Sequence, residues 1–79
     1  MTRKQCNRET WFKTLDSLAY MWNRKDKNHL WVHFLGYKRQ EIYDAERKLM
    51  ELGGLCITQD SDTVAGQTVC KFREPKLID

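Results

Sequence analysis

The residues best suited to chemistry in this sequence are two histidines and two cysteines. His29 and His33 are four positions apart, a spacing that places both on one face of a helix, and Cys56 and Cys70 follow later in the chain. Zn²⁺ accepts two cysteine and two histidine ligands. No cysteine pair, however, has the short spacing of a zinc finger or knuckle. The sequence therefore favours neither a metal site nor a cofactor.

Catalysis is not predicted either. The sequence contains no glycine-rich phosphate loop, no metalloprotease motif and no G-x-S-x-G nucleophile motif. Paired carboxylates such as Glu41 with Asp44 are more simply explained as solvated surface charges. A chain of 79 residues also has little room to enclose a substrate pocket. We expect a non-enzymatic protein that acts by binding.

The composition predicts a single domain over residues 1–79. Hydrophobic residues make up 41% and charged residues 32%, which is ordinary for a globular protein. No apolar run approaches the roughly 20 residues of a membrane span, and none follows the basic start as in a signal peptide. Three cysteines, an odd count, argue against an extracellular disulfide scaffold. We expect a cytoplasmic protein with no membrane partner.

The net charge of +3 is divided unevenly along the chain. Residues 1–39 contain nine Lys or Arg and three Asp or Glu, whereas residues 40–79 contain five and eight. A basic half attracts phosphate or an acidic protein surface. We therefore predict a docking face on the first half, formed by Arg3, Lys4, Arg8, Lys13, Arg24, Lys25 and Lys27.

Helical periodicity defines the first element. Asn7 and Glu9 suit a helix start, and apolar residues then recur at helical spacing. We predict a helix that runs to about Arg24 and buries Trp11 and Trp22. The segment HLWVHFLG is ambiguous, because its aromatic and β-branched residues suit a strand while its near-continuous apolarity also suits a short buried helix.

A second helix and a hairpin complete the predicted elements. From Arg39 to Leu52 one helical face is apolar and the other is polar, and two glycines follow. Two β-type runs then surround a polar turn. Placing Leu55 opposite Phe72 and Ile57 opposite Cys70 puts apolar residues on one face of this hairpin.

The segment LGYKRQEIYDAERKLMELGGL resembles the motif of winged helix-turn-helix domains, over about residues 30–72. The matching positions are Leu35 and Gly36 in the turn, Tyr37 after it, Ile42, Ala45 and Leu49 on the buried side, and Gly53 or Gly54 with Leu55 at the exit. The resemblance implies a small α+β domain with an N-terminal helix, a helix-turn-helix-like unit and a C-terminal β-hairpin. If residues 29–35 form a strand instead, the order is α-β-α-β-β with a three-stranded sheet.

The winged-helix resemblance implies a DNA-binding regulator. Carried over, it directs Arg39, Gln40, Tyr43 and Arg47 to the bases, with Lys38 and Lys48 near phosphates. Such a module would have to dimerise or join a larger complex, because it buries a modest area. The helix is neutral, however, with four basic and four acidic residues from Lys38 to Glu51, and Asp60 and Asp62 occupy the wing tip.

These charges leave a second function open. A neutral helix, an acidic wing and a separate basic half suit a protein partner with complementary patches. The chain would then be a small adaptor or inhibitor, of the kind that phages and plasmids carry. It would block or recruit a host protein or a nucleoprotein complex.

Overall fold

The computed structural model describes residues 3–62 and 64–76, with side chains from residue 8 onward. Two helices and four strands follow in the order α-β-β-α-β-β, which confirms the predicted α+β class. The elements are α1 (Arg3–Leu18), β1 (Met21–Arg24), β2 (His29–Leu35), α2 (Arg39–Glu51), β3 (Leu55–Asp62) and β4 (Gln67–Arg73).

The four strands form one antiparallel sheet in the order β1-β2-β4-β3. The helix α2 connects β2 to the edge strand β3, and β4 then returns between them. Alternate residues are buried on the two central strands, as expected for a sheet covered on one face. The buried set is Leu30, Val32, Phe34, Thr68, Cys70 and Phe72.

Both helices cover the same face of the sheet. Trp11 and Leu15 of α1 form one core cluster with the buried sheet residues and with the apolar stripe of α2, which is Ile42, Ala45 and Leu49. The Trp11 indole N–H donates a 2.8 Å hydrogen bond to the carbonyl of Leu49 and so joins the two helices. The burial of Trp11 is confirmed; Trp22 is only half-buried.

The first helix ends earlier than the periodicity predicts. It stops at Leu18, and Met21–Arg24 form β1 instead of a last helical turn. Trp22 continues the helical spacing of α1, but its segment pairs with β2, where Trp22 lies opposite Val32. The ring of Trp22 still reaches Phe12 of α1, with centroids 5.6 Å apart. The prediction to Arg24 was wrong because strand pairing outweighed the local pattern.

Residues 29–35 form the strand β2, so a strand takes the place of the first helix of a helix-turn-helix unit. The alternative order α-β-α-β-β contained this strand, but it lacked β1, and the sheet has four strands rather than three. Gly36 turns the chain from β2 to α2 with φ of 76°, and its N–H donates to the carbonyl of Gly66. The expected α2 is confirmed.

The C-terminal hairpin forms in a different register from the predicted one. Leu55 lies opposite Arg73, Cys56 lies opposite Phe72, and a bulge follows between Cys56 and Thr58. Cys56 therefore takes the inward position predicted for Leu55, and Leu55 is exposed. The bulge adds one residue to β3, which no alternation of residue types reveals.

Candidate functional site

Among the described residues, no helix covers the second face of the sheet. The side chains that alternate with the buried set of β2 and β4 point to this face, and most are half-buried. We call this surface the open face. Its central residues are His29, Trp31, His33, Val69, Lys71 and Arg73.

Trp31 lies at the centre of the open face. Its neighbours in register are Asn23 on β1 and Lys71 on β4. The ammonium group of Lys25 lies 5.9 Å from the centroid of the indole ring. A half-buried indole between two lysines offers an aromatic surface and positive charge at the same place.

The turn between β1 and β2 is fixed by Asp26. Its carboxylate accepts hydrogen bonds from the backbone N–H groups of Asn28 at 2.9 Å and His29 at 3.0 Å, and it lies 2.9 Å from His29 Nδ1. The hydrogen bond from Asn28, and then the one with the His29 ring, lower the pKa of the Asp26 carboxyl group well below its ordinary value of 3.8. The ionised carboxylate holds the turn that carries Lys25 and Lys27.

Positive charge is concentrated at one end of the open face. His29 and Arg73 are register partners at this end, and a surface cleft there is lined by Lys27, Arg73 and Lys76, among others. We define the basic end as Lys25, Lys27, His29, Lys71, Arg73 and Lys76. Asp60 and Asp62 lie at the other end of the β3–β4 pair, opposite Val69 and Gln67.

Three of the predicted phosphate contacts have an acidic partner within the protein. Lys25 lies 3.6 Å from the Asp26 carboxylate, and the other two share Glu74. Arg8 of α1 and Arg24 of β1 both form ion pairs with the buried carboxylate of Glu74, the second at 2.5 Å. Arg8 also donates to the carbonyl of Pro75 at 3.1 Å. These arginines therefore tie α1, β1 and the segment after β4 together, and the one carboxylate neutralises half of their combined charge.

The predicted contact residues on α2 are exposed, as expected, but two of them interact with Asp44 of the same helix. Gln40 donates to Asp44 at 3.0 Å, and Arg47 lies 3.7 Å from the same carboxylate. Arg39 and Tyr43 line a groove against the β3–β4 turn. Lys38 and Lys48 are also exposed. The face is accessible, but its charges are balanced within the helix.

The remaining predicted residues belong to α1 and to the β1–β2 turn. Arg3 and Lys4 belong to α1, but their side chains lie outside the described residues, whereas Lys13 is exposed. Lys25 and Lys27 belong to the basic end.

The sequence reasoning missed Trp31 at the centre of the open face and Lys71, Arg73 and Lys76 of the basic end. The sequence indicated two of these residues, because Lys71 and Arg73 alternate with apolar residues in QTVCKFR and so lie on the other face of the strand.

The two histidines and the two cysteines lie on opposite faces of the sheet. His29 and His33 project from the open face, and the His33 ring lies 3.0 Å from the Gln67 amide. Cys70 belongs to the core on the opposite face, and Cys56 also packs against that core. The four-ligand set considered from the sequence is not brought together.

Both cysteines contact a buried carboxylate of α2. The Glu46 Oε2 atom lies 3.3 Å from Cys70 Sγ and 3.8 Å from Cys56 Sγ, and it accepts a 2.8 Å hydrogen bond from the Gln59 amide. The hydrogen bond with Cys70 lowers the pKa of the Cys56 thiol, whereas that hydrogen bond and burial raise the pKa of Cys70. We call Glu46, Cys56, Gln59 and Cys70 the thiol–carboxylate cluster.

No protein-family model, curated protein or solved structure matches this chain. The resemblance of residues 30–72 to winged helix-turn-helix domains thus receives no support from other proteins. Neither of the two described helices has the length and apolarity to cross a bilayer.

Proposed function

We propose that this protein is a non-enzymatic domain that binds single-stranded nucleic acid on its open face. The observation that carries the proposal is Trp31, half-buried at the centre of that face between Lys25 and Lys71. Unpaired bases stack on aromatic side chains, and neighbouring cations contact the phosphates that connect them. An uncovered sheet lets a flexible strand approach both groups together.

The charges of the open face favour one path for the strand. Cations extend from Lys71 through Arg73 to Lys76, beyond the end of β4, whereas Asp60 and Asp62 at the other end repel phosphate. We expect the phosphates to follow the basic end while a base stacks on Trp31. Affinity would then depend strongly on salt, because each contact releases condensed counterions.

The winged-helix resemblance predicts duplex DNA bound by α2, whereas the present proposal is a single strand bound by the sheet. A helix that enters a DNA groove needs net positive charge, and α2 balances its charges internally. It also needs the support of a first motif helix, and residues 29–35 form a strand. Duplex binding by Arg39, Gln40, Tyr43 and Arg47 is the less favoured mode.

Fluorescence anisotropy of a labelled oligothymidylate at several salt concentrations tests this proposal. We expect the logarithm of the association constant to fall as the logarithm of the salt concentration rises, with a slope of roughly −0.7 for each neutralised phosphate. Trp31→Ala should weaken binding by about 1–3 kcal/mol, or roughly 5- to 150-fold, because one stacked base loses its platform. Tyr43→Ala removes an exposed aromatic side chain from α2, and this control should leave the dissociation constant unchanged.

Unlabelled duplex DNA of the same length is the competitor. The proposal fails if the duplex competes as well as the single strand and if Arg39→Glu with Arg47→Glu abolishes binding while Trp31→Ala does not. That result would assign the contact to α2. Absence of binding at low salt would exclude both surfaces.

A protein partner is a second candidate, because the open face also carries exposed apolar side chains. Met21 is 44% exposed and Leu35 is 43% exposed, and both lie beside His33 away from the basic end. Exposed apolar groups of this size favour a protein contact. Immobilised protein and its Leu35→Glu variant can be compared in a nuclease-treated extract. A protein retained by the first and lost by the second would support an adaptor or inhibitor.

A further inference from the structure

Two glutamates are buried among the described residues, and they differ in what neutralises them. Glu74 is 3% exposed and pairs with two arginines. Glu46 is 8% exposed, and no lysine or arginine side chain described in this chain forms an ion pair with it. A buried carboxylate without a positive partner is costly. A metal ion bonded directly to Glu46 would give the carboxylate the partner that it lacks.

The groups that surround Glu46 are metal ligands. One ligand atom from each of Glu46, Cys56 and Cys70 lies within 4.8 Å of the other two. The Gln59 amide is hydrogen-bonded to the same carboxylate oxygen. Helix α2 supplies the carboxylate and the β3–β4 hairpin supplies the other three groups, so two rigid elements hold them together.

The two oxygen–sulfur separations fit a tetrahedral zinc ion. With Zn–S bonds of about 2.3 Å and Zn–O bonds of about 2.0 Å, a sulfur and an oxygen ligand lie about 3.5 Å apart, and two sulfurs about 3.8 Å apart. The distances from Glu46 Oε2 to the two sulfurs are 3.3 and 3.8 Å, on either side of the first value. Small side-chain rotations would bring the three ligands around one ion.

We infer that Glu46, Cys56 and Cys70 form a binding site for a thiophilic divalent cation, best fitted by Zn²⁺. Two sulfur ligands select zinc over magnesium or calcium, which prefer oxygen. The oxygen of the Gln59 amide, after a flip of the amide group, or a water molecule would complete the tetrahedron. As the ion enters, each thiol releases its proton to solvent and a sulfur–zinc bond forms, so the net charge of the site does not change.

The site is accessible from the edge of the sheet. Cys56 is half-buried on the edge strand β3, whereas Cys70 is completely buried on β4. A bound ion would join α2 to both strands of the hairpin. It would lie on the helical side of the sheet, so this inference does not depend on nucleic-acid binding.

Titration of the reduced protein with Co²⁺ and then with Zn²⁺ tests the inference. We expect a 1:1 cobalt adduct with thiolate charge-transfer absorption and the intense visible bands of a tetrahedral ion, displaced by one equivalent of Zn²⁺. Cys56→Ser should remove about half of the charge-transfer absorption. In competition with a chromogenic chelator, this variant and Glu46→Gln should each bind Zn²⁺ at least about tenfold more weakly.

Cys6→Ser, in α1, is the matched cysteine control and should bind both ions as the unsubstituted protein does. Zn²⁺ should also raise the melting temperature, and Cys56→Ser should lose that rise. Circular dichroism checks that each variant is folded; Cys56 is used because its half-buried position tolerates replacement better than Cys70. The inference is overturned if the folded, reduced protein shows no thiolate band with Co²⁺, or if Cys56→Ser retains the original affinity for Zn²⁺.

Discussion

At the scale of single residues, Gly54 packs closely against the indole ring of Trp11. A Cβ atom on Gly54 would lie 2.4 Å from the indole nitrogen of Trp11 and under 3.0 Å from two ring carbons. That nitrogen is held in place by its hydrogen bond to Leu49. The glycine after α2 is therefore required by the space that the indole occupies.

Gly54→Ala should lower the free energy of unfolding by about 1–3 kcal/mol, because the added methyl group forces the indole to move. Urea denaturation measures this change. Trp11→Phe is destabilising by itself, but it removes the ring atoms that clash. We therefore expect the double variant to be less destabilised than the sum of the two single variants.

Gly36→Ala provides the comparison, because its Cβ would meet nothing within 4 Å while φ is 76°. Its cost is conformational, about 1–2 kcal/mol, and Trp11→Phe should not reduce it. Equal coupling of both glycines to Trp11 would contradict the steric explanation.

At the scale of elements, the fold depends on ties between neighbours in space that are distant in sequence. Glu74 is 50 residues or more from both of its arginine partners, Arg8 and Arg24. Its backbone N–H also donates to the carbonyl of Asn28 at 3.0 Å. Glu74 thus fixes α1 and β1 through its carboxylate, and the β1–β2 turn through its backbone N–H, against the end of β4.

Glu74→Gln should destabilise the protein by roughly 1–3 kcal/mol, because the charge-assisted hydrogen bond from Arg24 and the ion pair with Arg8 are lost while the arginines can still reach water. Chemical denaturation followed by circular dichroism measures the loss. Glu51→Gln, on the exposed side of α2, is the matched control and should change stability by less than about 0.5 kcal/mol. Equal effects of the two substitutions would show that the contacts of Glu74 with the arginines do not stabilise the fold.

The β1–β2 turn predicts a pH dependence. Hydrogen bonds lower the pKa of Asp26 in the folded state, so its contribution is present above the ordinary value of 3.8 and is lost as pH falls towards the folded pKa. We expect stability to decrease progressively below that value, and Asp26→Asn to decrease less steeply. Urea unfolding at a series of acidic pH values tests this. Parallel curves for the two proteins would exclude the turn as the source.

The elements show why the sequence predicted α2 well and β2 poorly. α2 has a clean apolar stripe because only one of its faces meets the core. In HLWVHFL the outward-facing Trp31 interrupts the alternation of apolar and polar residues that identifies a half-buried strand. The residue proposed to bind a base is therefore also a reason why the sequence left β2 ambiguous. The basic end was missed for a related reason, since it combines residues from both halves of the chain through strand pairing.

At the scale of the whole molecule, charge is separated along the strands rather than between the two halves of the chain. The basic end gathers Lys27 from the first half with Arg73 and Lys76 from the second. Asp60 and Asp62 occupy the opposite end. A polyanion should therefore meet attraction at one end only.

Lys76→Glu and Lys48→Glu change the net charge equally but at different places. Comparing them separates the effect of a local phosphate contact from the effect of net charge. The first should weaken oligothymidylate binding and flatten its salt dependence, because a phosphate contact is lost. The second, on the exposed side of α2, should have little effect at physiological ionic strength, where screening acts over about 8 Å. Equal effects in anisotropy titrations would show that only net charge matters.

The bulge in β3 also affects the exposed edge of the sheet. β3 is an edge strand eight residues long, and such an edge readily templates another chain through its free backbone groups. Here the ladder is kinked after Cys56, and Asp60 and Asp62 add like charges farther along. An incoming strand would lose its alignment at the kink and meet repulsion beyond it. The same irregularity that shifts the hairpin register therefore protects the protein against aggregation by sheet extension.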